Sequence, residues 1–359
     1  MPTTTGMKGA GYYDRHSTAQ QSAIRALQDW VDAALADVLL PARDEPVTVV
    51  DLGSSEGGNA IRLMASIVAG LRRRTDQPLR TIYSDLPSND FNRLFANLEE
   101  ARGAGLIVAG VYPEAVGGSF YGPLLPPGTV HLATAFNAIH WLDSLPSAPL
   151  PDGAAYRQPH LARPGLAAPS GIAAAFARQA EQDLTRFLEC RARELVPGAK
   201  LLLAGPGRSD EIPFGRGLIE VHDDACLDLV ASGRLGREAY ERLVWPCYFR
   251  TVAEMLAPLE REDSPVRGAF TVDRAEAREV PPPFLVEFRR SGDAAAYAAA
   301  CTGFWRAVTE SVVRAALRRP EGAPDAVEIL YERIRDRLLA DPGRYPWSFM
   351  VVAALLTRR

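Results

Sequence analysis

The residue types that can do chemistry gather in two stretches. The run Val47-Thr48-Val49-Val50-Asp51-Leu52-Gly53-Ser54-Ser55-Glu56-Gly57-Gly58-Asn59 sends a β-branched segment into a glycine-rich turn, the strand–loop–helix pattern of a nucleotide-type pocket. Tyr83-Ser84-Asp85-Leu86-Pro87-Ser88-Asn89-Asp90-Phe91-Asn92 follows. A carboxylate that closes the second strand, here Asp85, can accept both hydroxyl hydrogens of a ribose. Gly53 marks the sharp turn, and Gly57-Gly58 allow close approach of a ligand. Asp51 stands at the strand end, and Ser54 and Asn59 carry side chains able to hydrogen-bond the amino-acid part of a ligand. The spacing Gly53-x-x-x-Gly57-Gly58 departs from the dinucleotide fingerprint Gly-x-Gly-x-x-Gly, so nicotinamide and flavin lose ground and S-adenosylmethionine gains it. Asp85 also reads as a turn aspartate before Pro87, and Asp90 as a helix N-cap.

Those residues need elements to position them. Strands are expected at 47–52, 81–84, 106–111, 130–136 and 200–204, with helices at 59–74, 90–102 and 172–195 between them. That alternation predicts an α/β fold with a doubly wound, mostly parallel sheet. A helix over 20–40 carries Ile24, Leu27, Val31, Leu35 and Val38 on one face. Further helices are expected at 217–232, 237–243, 251–259, 293–317 and 325–339, a strand at 270–280, and a last edge or inserted strand at 347–356. A sheet of about seven strands takes roughly 200 to 250 residues, so the surplus predicts an α-helical cap over the carboxyl ends of the strands. The division expected is core 1–145, cap insertion 146–180, core helix and fifth strand 181–210, helical cap 211–262, core strand 263–290, cap and C-terminal helices 291–345 and last core strand 346–359.

Composition sets the bounds. With 359 residues, 47% of them hydrophobic, the chain can bury a large core, and a formal net charge of −4 gives no basic footprint for nucleic acid. A small-molecule partner is expected. Cys190, Cys226, Cys247 and Cys301 are far apart and form no zinc spacing, so they read as reduced packing residues. Neither a signal peptide nor an 18-residue apolar span is evident, and the expectation is a cytoplasmic protein with no membrane partner. Lys8 and Lys200 are the only lysines, an arginine bias that fits a GC-rich genome.

Five collinear blocks carry a resemblance. They are Met7-Lys8-Gly9-Ala10-Gly11 with Tyr13-Asp14-Arg15-His16-Ser17-Thr18-Ala19-Gln20; Asp51-Leu52-Gly53-Ser54-Ser55 with Asn59 and Asp85-Leu86-Pro87; Gly118-Ser119-Phe120-Tyr121-Gly122; Ile139-His140-Trp141-Leu142; and Cys190-Arg191-Ala192-x-Glu194-Leu195-Val196-Pro197-Gly198. Together they resemble the SABATH family of carboxyl methyltransferases, the salicylate, benzoate and jasmonate type, in a bacterial form. The resemblance implies a class I methyltransferase fold, Rossmann-like with seven strands, and S-adenosylmethionine surrounded by Tyr13, Ser54, Asn59, Asp85, Leu86, Ser119 and Phe120. It places Gln20 and Trp141 on the substrate carboxylate. His16 replaces the family's asparagine, Ser54 a frequent cysteine, and Asn137 a tyrosine common in plant members. A homodimer is implied by family habit alone. The stretch 241–244 lacks the asparagine with which some members hold a divalent cation, so no metal is expected.

The chemistry of those positions agrees with the implied roles. Gln20 and the indole of Trp141 are neutral donors that orient a carboxylate while leaving a lone pair to attack. His140 either shapes the substrate site or is a satisfied histidine at a loop edge, and Phe120 and Tyr121 pack on a ligand or plug the core. A carboxylic acid with a pKa of about 4 is already ionised at neutral pH and needs no general base. Three readings follow: O-methylation of a small, mostly apolar carboxylic acid (aromatic, fatty or terpenoid); N-methylation of a xanthine-like heteroaromatic, with His140 or Asn137 against the ring; or a non-catalytic cofactor-binding relative.

Overall fold

The computed structural model describes residues 6–146, 170–209, 215–241, 243–317 and 325–359. The chain enters through α1 (Tyr12–His16), α2 (Thr18–Arg25) and α3 (Gln28–Asp37). The single helix expected over 20–40 is therefore two. The periodic face continues across the break, with Leu27, Val31, Leu35 and Val38 all buried, but the Ala26 carbonyl accepts the Arg278 guanidinium and Leu27 leaves helical geometry at φ −112°, ψ 19°.

The Rossmann-like unit follows as β1 (Val47–Leu52), α4 (Gly58–Arg72), β2 (Leu79–Asp85), α5 (Phe91–Gly103), β3 (Val111–Gly117), β4 (Val130–Phe136), α6 (Ser170–Glu194) and β5 (Leu195–Pro206). The third strand lies one segment later than the expected 106–111. Leu106 and Val108 are exposed, and Gly105 and Gly110 take positive φ, so the apolar run is a connection. Pro113 sits inside the real strand, which tolerates it because β3 is the sheet edge and pairs with β2 alone. The proline- and alanine-rich stretch expected as an insertion falls mostly outside the described residues.

Beyond β5 come α7 (Arg216–Ala231), α8 (Arg237–Glu241), α9 (Val252–Glu260), β6 (Phe270–Glu279), α10 (Pro283–Ser291), α11 (Ala294–Ala316), α12 (Ala326–Ala340) and β7 (Met350–Arg358). Helix α10 was not expected, although Pro283 at its first turn and Gly292 in the left-handed region after it are the paired start and stop signals of a helix.

Among the described residues seven strands form one sheet in the order β3-β2-β1-β4-β5-β7-β6. Strands β1 to β5 run parallel, and β7 inserts antiparallel between β5 and β6. Strand β7 starts three residues later than expected, because Trp347 and Phe349 are spent on an aromatic cluster with Phe304. Both faces are covered: Val49, Leu132, Leu202 and Leu355 pack into one core, and Val50, Ala133, Leu201 and Ala354 into the other. Continuous apolar strands are what a sheet buried on both sides requires. Helix α12 packs on both α7 and α11, and Ile219 of α7 and Phe304 of α11 share a cavity with Asn137 and Pro206 at the ends of β4 and β5. All four cysteines are buried and none forms a disulfide, and no helix of the described residues is long and apolar enough to cross a membrane.

Candidate active site

Strand β1 delivers Asp51 and then turns at Gly53, where φ is +91° and a Cβ would lie 2.5 Å from that of Ala138. Only glycine fits. Gly57, at φ +96°, leads into α4. Asp85 closes β2 and is held by backbone donors: the Ser55 N–H reaches Oδ2 at 2.7 Å and the Leu86 N–H reaches Oδ1 at 2.8 Å. Each oxygen retains a second lone pair. Burial pushes the Asp85 carboxyl above its usual range, against the pull of those two N–H groups. Asp90 caps α5 by accepting the Arg93 N–H at 2.9 Å.

Asp85, Leu86, Ser119, Phe120 and Trp141 line one cavity of about 660 Å³ together with Gly53, Met7 and Tyr13. Asp51, Ser54 and Asn59 line a separate hollow of about 350 Å³ with Tyr13 and Gln20. Protein partners already engage this second group. Asp51 accepts Thr134 Oγ1 at 2.6 Å and Ser54 Oγ at 3.2 Å, while Asn59 Nδ2 donates to Ser17 Oγ at 2.9 Å. Burial raises the Asp51 pKa to about 6, and the hydroxyls of Thr134 and Ser54 oppose it.

The N-terminal segment closes over these spaces. Lys8 Nζ lies 2.5 Å from Glu310 Oε2 on α11, and the Gly11 N–H donates to Glu56 Oε1 at 2.6 Å. Asp14 Oδ1 accepts the Gly58 N–H at 3.1 Å and its Oδ2 accepts Asn97 Nδ2 at 2.8 Å. The N-terminus of α4, where a dinucleotide site would seat its pyrophosphate, is thus taken by a carboxylate of the chain itself.

A further cavity of about 590 Å³ adjoins the first, sharing Met7, Tyr13, Asn137 and Trp141. Gln20 and His140 line it at this polar end, and Ile219, Trp245, Phe249, Phe304, Trp305 and Phe349 supply apolar walls. Gln20 Oε1, Asn137 Oδ1 and His140 Nδ1 are buried without a hydrogen-bond partner among the described residues. Gln20 also hydrogen-bonds the Tyr13 side chain, whose hydroxyl burial keeps protonated. Asn137 stands in the left-handed region at φ +54°, its N–H fixed on Ala204 O at 2.7 Å. Burial first, and the Arg250 cation second, pull the His140 pKa down to about 3. His140 is therefore neutral at pH 7.

Every cofactor- or substrate-binding residue expected from the sequence lines one of these three spaces, but Gly57 and Gly58, expected to let a ligand approach, face Leu94, Ile61 and Asp14 instead. Sequence reasoning missed the walls from α7, α11 and the loop after α8, and it missed the braces. Tyr121 donates to Trp141 O at 2.6 Å, Arg250 donates to Ile139 O at 2.5 Å, and the buried Arg191 donates to Phe120 O at 2.8 Å and Gly122 O at 3.0 Å. Tyr121 and Arg191 lay within the quoted blocks, but a side chain that serves a distant carbonyl leaves no periodic signal.

Known proteins are similar to this chain in sequence and in fold. The model of the family described as SAM dependent carboxyl methyltransferase matches residues 2–358. The chain is 31% identical to indole-3-acetate O-methyltransferase 1 of Oryza sativa subsp. japonica, over 92% of the chain and 86% of the relative. It is 27% identical to gibberellic acid methyltransferase 2 of Arabidopsis thaliana, over 91% of the chain and 86% of the relative. The solved structure of loganic acid methyltransferase with SAH superposes with a TM-score of 0.78 at 21% identity, covering 98% of both chains.

Proposed function

Because the chain belongs to the SAM-dependent carboxyl methyltransferase family, the SABATH group, we propose that it forms the methyl ester of a small, mostly apolar carboxylic acid, whether aromatic, fatty or terpenoid. The observation that carries this reading is the meeting of the Asp85-lined cavity with an apolar one at Tyr13, Asn137 and Trp141.

The residues present fit S-adenosylmethionine. Asp85 has lone pairs to spare for two ribose hydroxyls, Gly53 brings the backbone close, and Leu86, Ser119 and Phe120 complete the wall. Tyr13, Asp51, Ser54 and Asn59 shape its amino-acid end, Asp51 and Ser54 through the turn that they stabilise and Asn59 by holding Ser17. When bound, the cofactor supplies an electrophilic sulfonium methyl group.

Gln20 and Trp141 hold the acid. As placed, the Gln20 oxygen is buried without a partner, and its NH₂ is the group left to donate to the Tyr13 hydroxyl. A half-turn of the amide lets the protonated Tyr13 hydroxyl donate to Oε1 and aims Nε2 at the carboxylate. No general base is required, since a carboxylic acid with a pKa of about 4 arrives ionised, and neutral His140 contributes shape and no charge. The chain's work is to hold one oxygen about 3 Å from the methyl carbon, inside apolar walls that exclude water while charge is neutralised.

Incubation with labelled S-adenosylmethionine and a panel of aromatic, fatty and terpenoid acids tests the reading, with a base-labile methyl ester as the expected product. A second reading draws on the unpartnered acceptors of Gln20, Asn137 and His140, which suit the N–H of a heteroaromatic ring; base-stable product would select it. Cofactor binding without product from either class would leave a non-catalytic relative. The core-and-cap division given above and a cytoplasmic homodimer belong to the same proposal, the dimer checked by light scattering.

A further inference from the structure

His222 on α7 is fully buried behind the wall of the apolar cavity and is not itself part of its lining. Its Nδ1 accepts the indole N–H of Trp305 at 2.9 Å. Its ring meets Trp245 edge-on at 5.2 Å, Trp305 at 6.1 Å and Tyr331 at 6.4 Å between centroids. The Tyr331 hydroxyl in turn pairs with Thr309 Oγ1 at 2.8 Å. Trp245, Trp305 and Thr309 all line the cavity, so one imidazole stands behind three of its lining residues.

An indole N–H is a donor with a single hydrogen, and leaving it buried and unpaired is costly. A rotation of the Trp305 ring that breaks this bond would take the N–H from its acceptor beside a cavity whose lining is mainly apolar, Phe304 and Val308 included. The bond therefore selects one orientation of a large flat ring. His222 can accept it because burial pulls its pKa down to about 3, so that the ring is neutral at neutral pH, and the bond from Trp305 selects the tautomer with the hydrogen on Nε2.

We propose that His222 is a positioning residue that sets substrate selectivity by locking the Trp305 indole as a rigid flat wall, so that the cavity admits planar acids and resists saturated rings of the same size. This rests on the reading of the cavity as the acid pocket. With the lock removed, the indole is free to rotate and that wall of the cavity is no longer fixed.

Phenylacetate and cyclohexylacetate, alike in length and differing in ring thickness, are the probes, and wild type is expected to prefer phenylacetate. His222→Leu keeps the volume but lacks an acceptor, whereas His222→Asn places Oδ1 where Nδ1 was. The preference in kcat/KM for phenylacetate is expected to fall about ten-fold in the leucine variant, through KM rather than kcat, as loss of one buried hydrogen bond implies. The asparagine variant should keep it, and affinity for S-adenosylhomocysteine should hold in both. If His222→Leu does not fold, Trp305→Phe removes the donor from the other side and should lower the preference in the same direction. The near-UV circular dichroism band of Trp305, defined by its absence in Trp305→Phe, gives a readout free of turnover: it should weaken in His222→Leu and persist in His222→Asn. Wild-type selectivity and an intact band in His222→Leu, or equal damage in both His222 variants, would overturn the inference. A wild type that esterifies no acid would instead overturn the acid-pocket reading, while the band still reports on the lock.

Discussion

The carboxylate of Asp85 receives the backbone N–H of Ser55 across 2.7 Å, which ties the end of β2 to the glycine turn that follows β1. One side chain thus sets the shape of the turn and offers its remaining lone pairs to a ribose. Replacing Asp85 with alanine should weaken S-adenosylhomocysteine binding about 100-fold in calorimetric titration, the loss of two hydrogen bonds to a charged acceptor. Burial lifts the pKa of this carboxyl. Wild-type affinity should therefore fall as pH drops through that raised value, because protonation removes an acceptor site. Asp85→Asn should show no such fall. Unchanged affinity in Asp85→Ala would remove the ribose role.

Gln20→Ala and Trp141→Phe each withdraw one donor from the polar end of the apolar cavity. Each should raise KM for the acid about ten-fold, the value of one hydrogen bond to a charged group. Gln20 lines the hollow with Asp51 and Asn59 but not the Asp85 cavity, so in its alanine variant S-adenosylhomocysteine affinity should change less than KM for the acid. Steady-state kinetics with unaltered KM in both variants would show that the carboxylate is held elsewhere.

The cofactor side was readable from the chain because a tight turn demands glycine and a strand end demands a particular side chain at a particular position. Gly53 and Asp85 announce themselves locally. Of the acid side only the polar end at Gln20, Asn137, His140 and Trp141 was readable, because Trp245, Phe304, Trp305 and Phe349 come from α11 and from loops more than a hundred residues beyond Asn137, and in sequence each looks like ordinary core. Helical period and apolar runs located most elements, yet the same rule misplaced β3. Leu106 and Val108 are apolar but exposed, and Pro113 disguised a true edge strand. The insertion of β7 between β5 and β6 depends on pairing that no single segment encodes.

Lys8 joins the N-terminal segment to α11 through Glu310 at 2.5 Å. Burial would raise the Glu310 carboxyl, but Lys8, Arg306 and Arg314 together hold it below its usual range. Lys8→Met leaves Glu310 with two cations and the segment with one tie fewer. Dissociation of S-adenosylhomocysteine, followed by stopped-flow fluorescence, should quicken about five-fold, the scale of a partly exposed ion pair of about 1 kcal/mol. A release rate equal to that of wild type would mean that the segment does not gate the cavity.

Asp51 gives the protein a pH signature of definite sign. Its pKa is raised from 3.8 to about 6 by burial, so the folded protein holds a proton that the unfolded chain releases. The stabilisation is fully present below pH 3.8 and is lost as pH rises through about 6, amounting to about 3 kcal/mol at roughly 1.4 kcal/mol per pH unit. Asp51→Asn removes the titration. The difference in urea unfolding free energy between wild type and variant should therefore decline over that interval and be flat above pH 7. A flat difference throughout would place an ordinary carboxyl at this site.

Arg191 is fully buried, and it joins the cofactor loop to α6 through Phe120 O, Gly122 O and Glu194 Oε1, the last at 2.8 Å. Glu194 Oε1 also accepts the Leu124 N–H at 2.7 Å, so the pair fixes both ends of the turn that carries Ser119 and Phe120. Arg191→Met strands a buried carboxylate and should cost about 3–5 kcal/mol in chemical unfolding. Adding Glu194→Gln removes the stranded charge and should recover part of that loss. Neither change restores the donors to Phe120 O and Gly122 O, so S-adenosylhomocysteine affinity should stay weak in the double variant after its stability has risen. If affinity and stability recovered together, the pair would serve the fold alone and the loop would hold its shape without it.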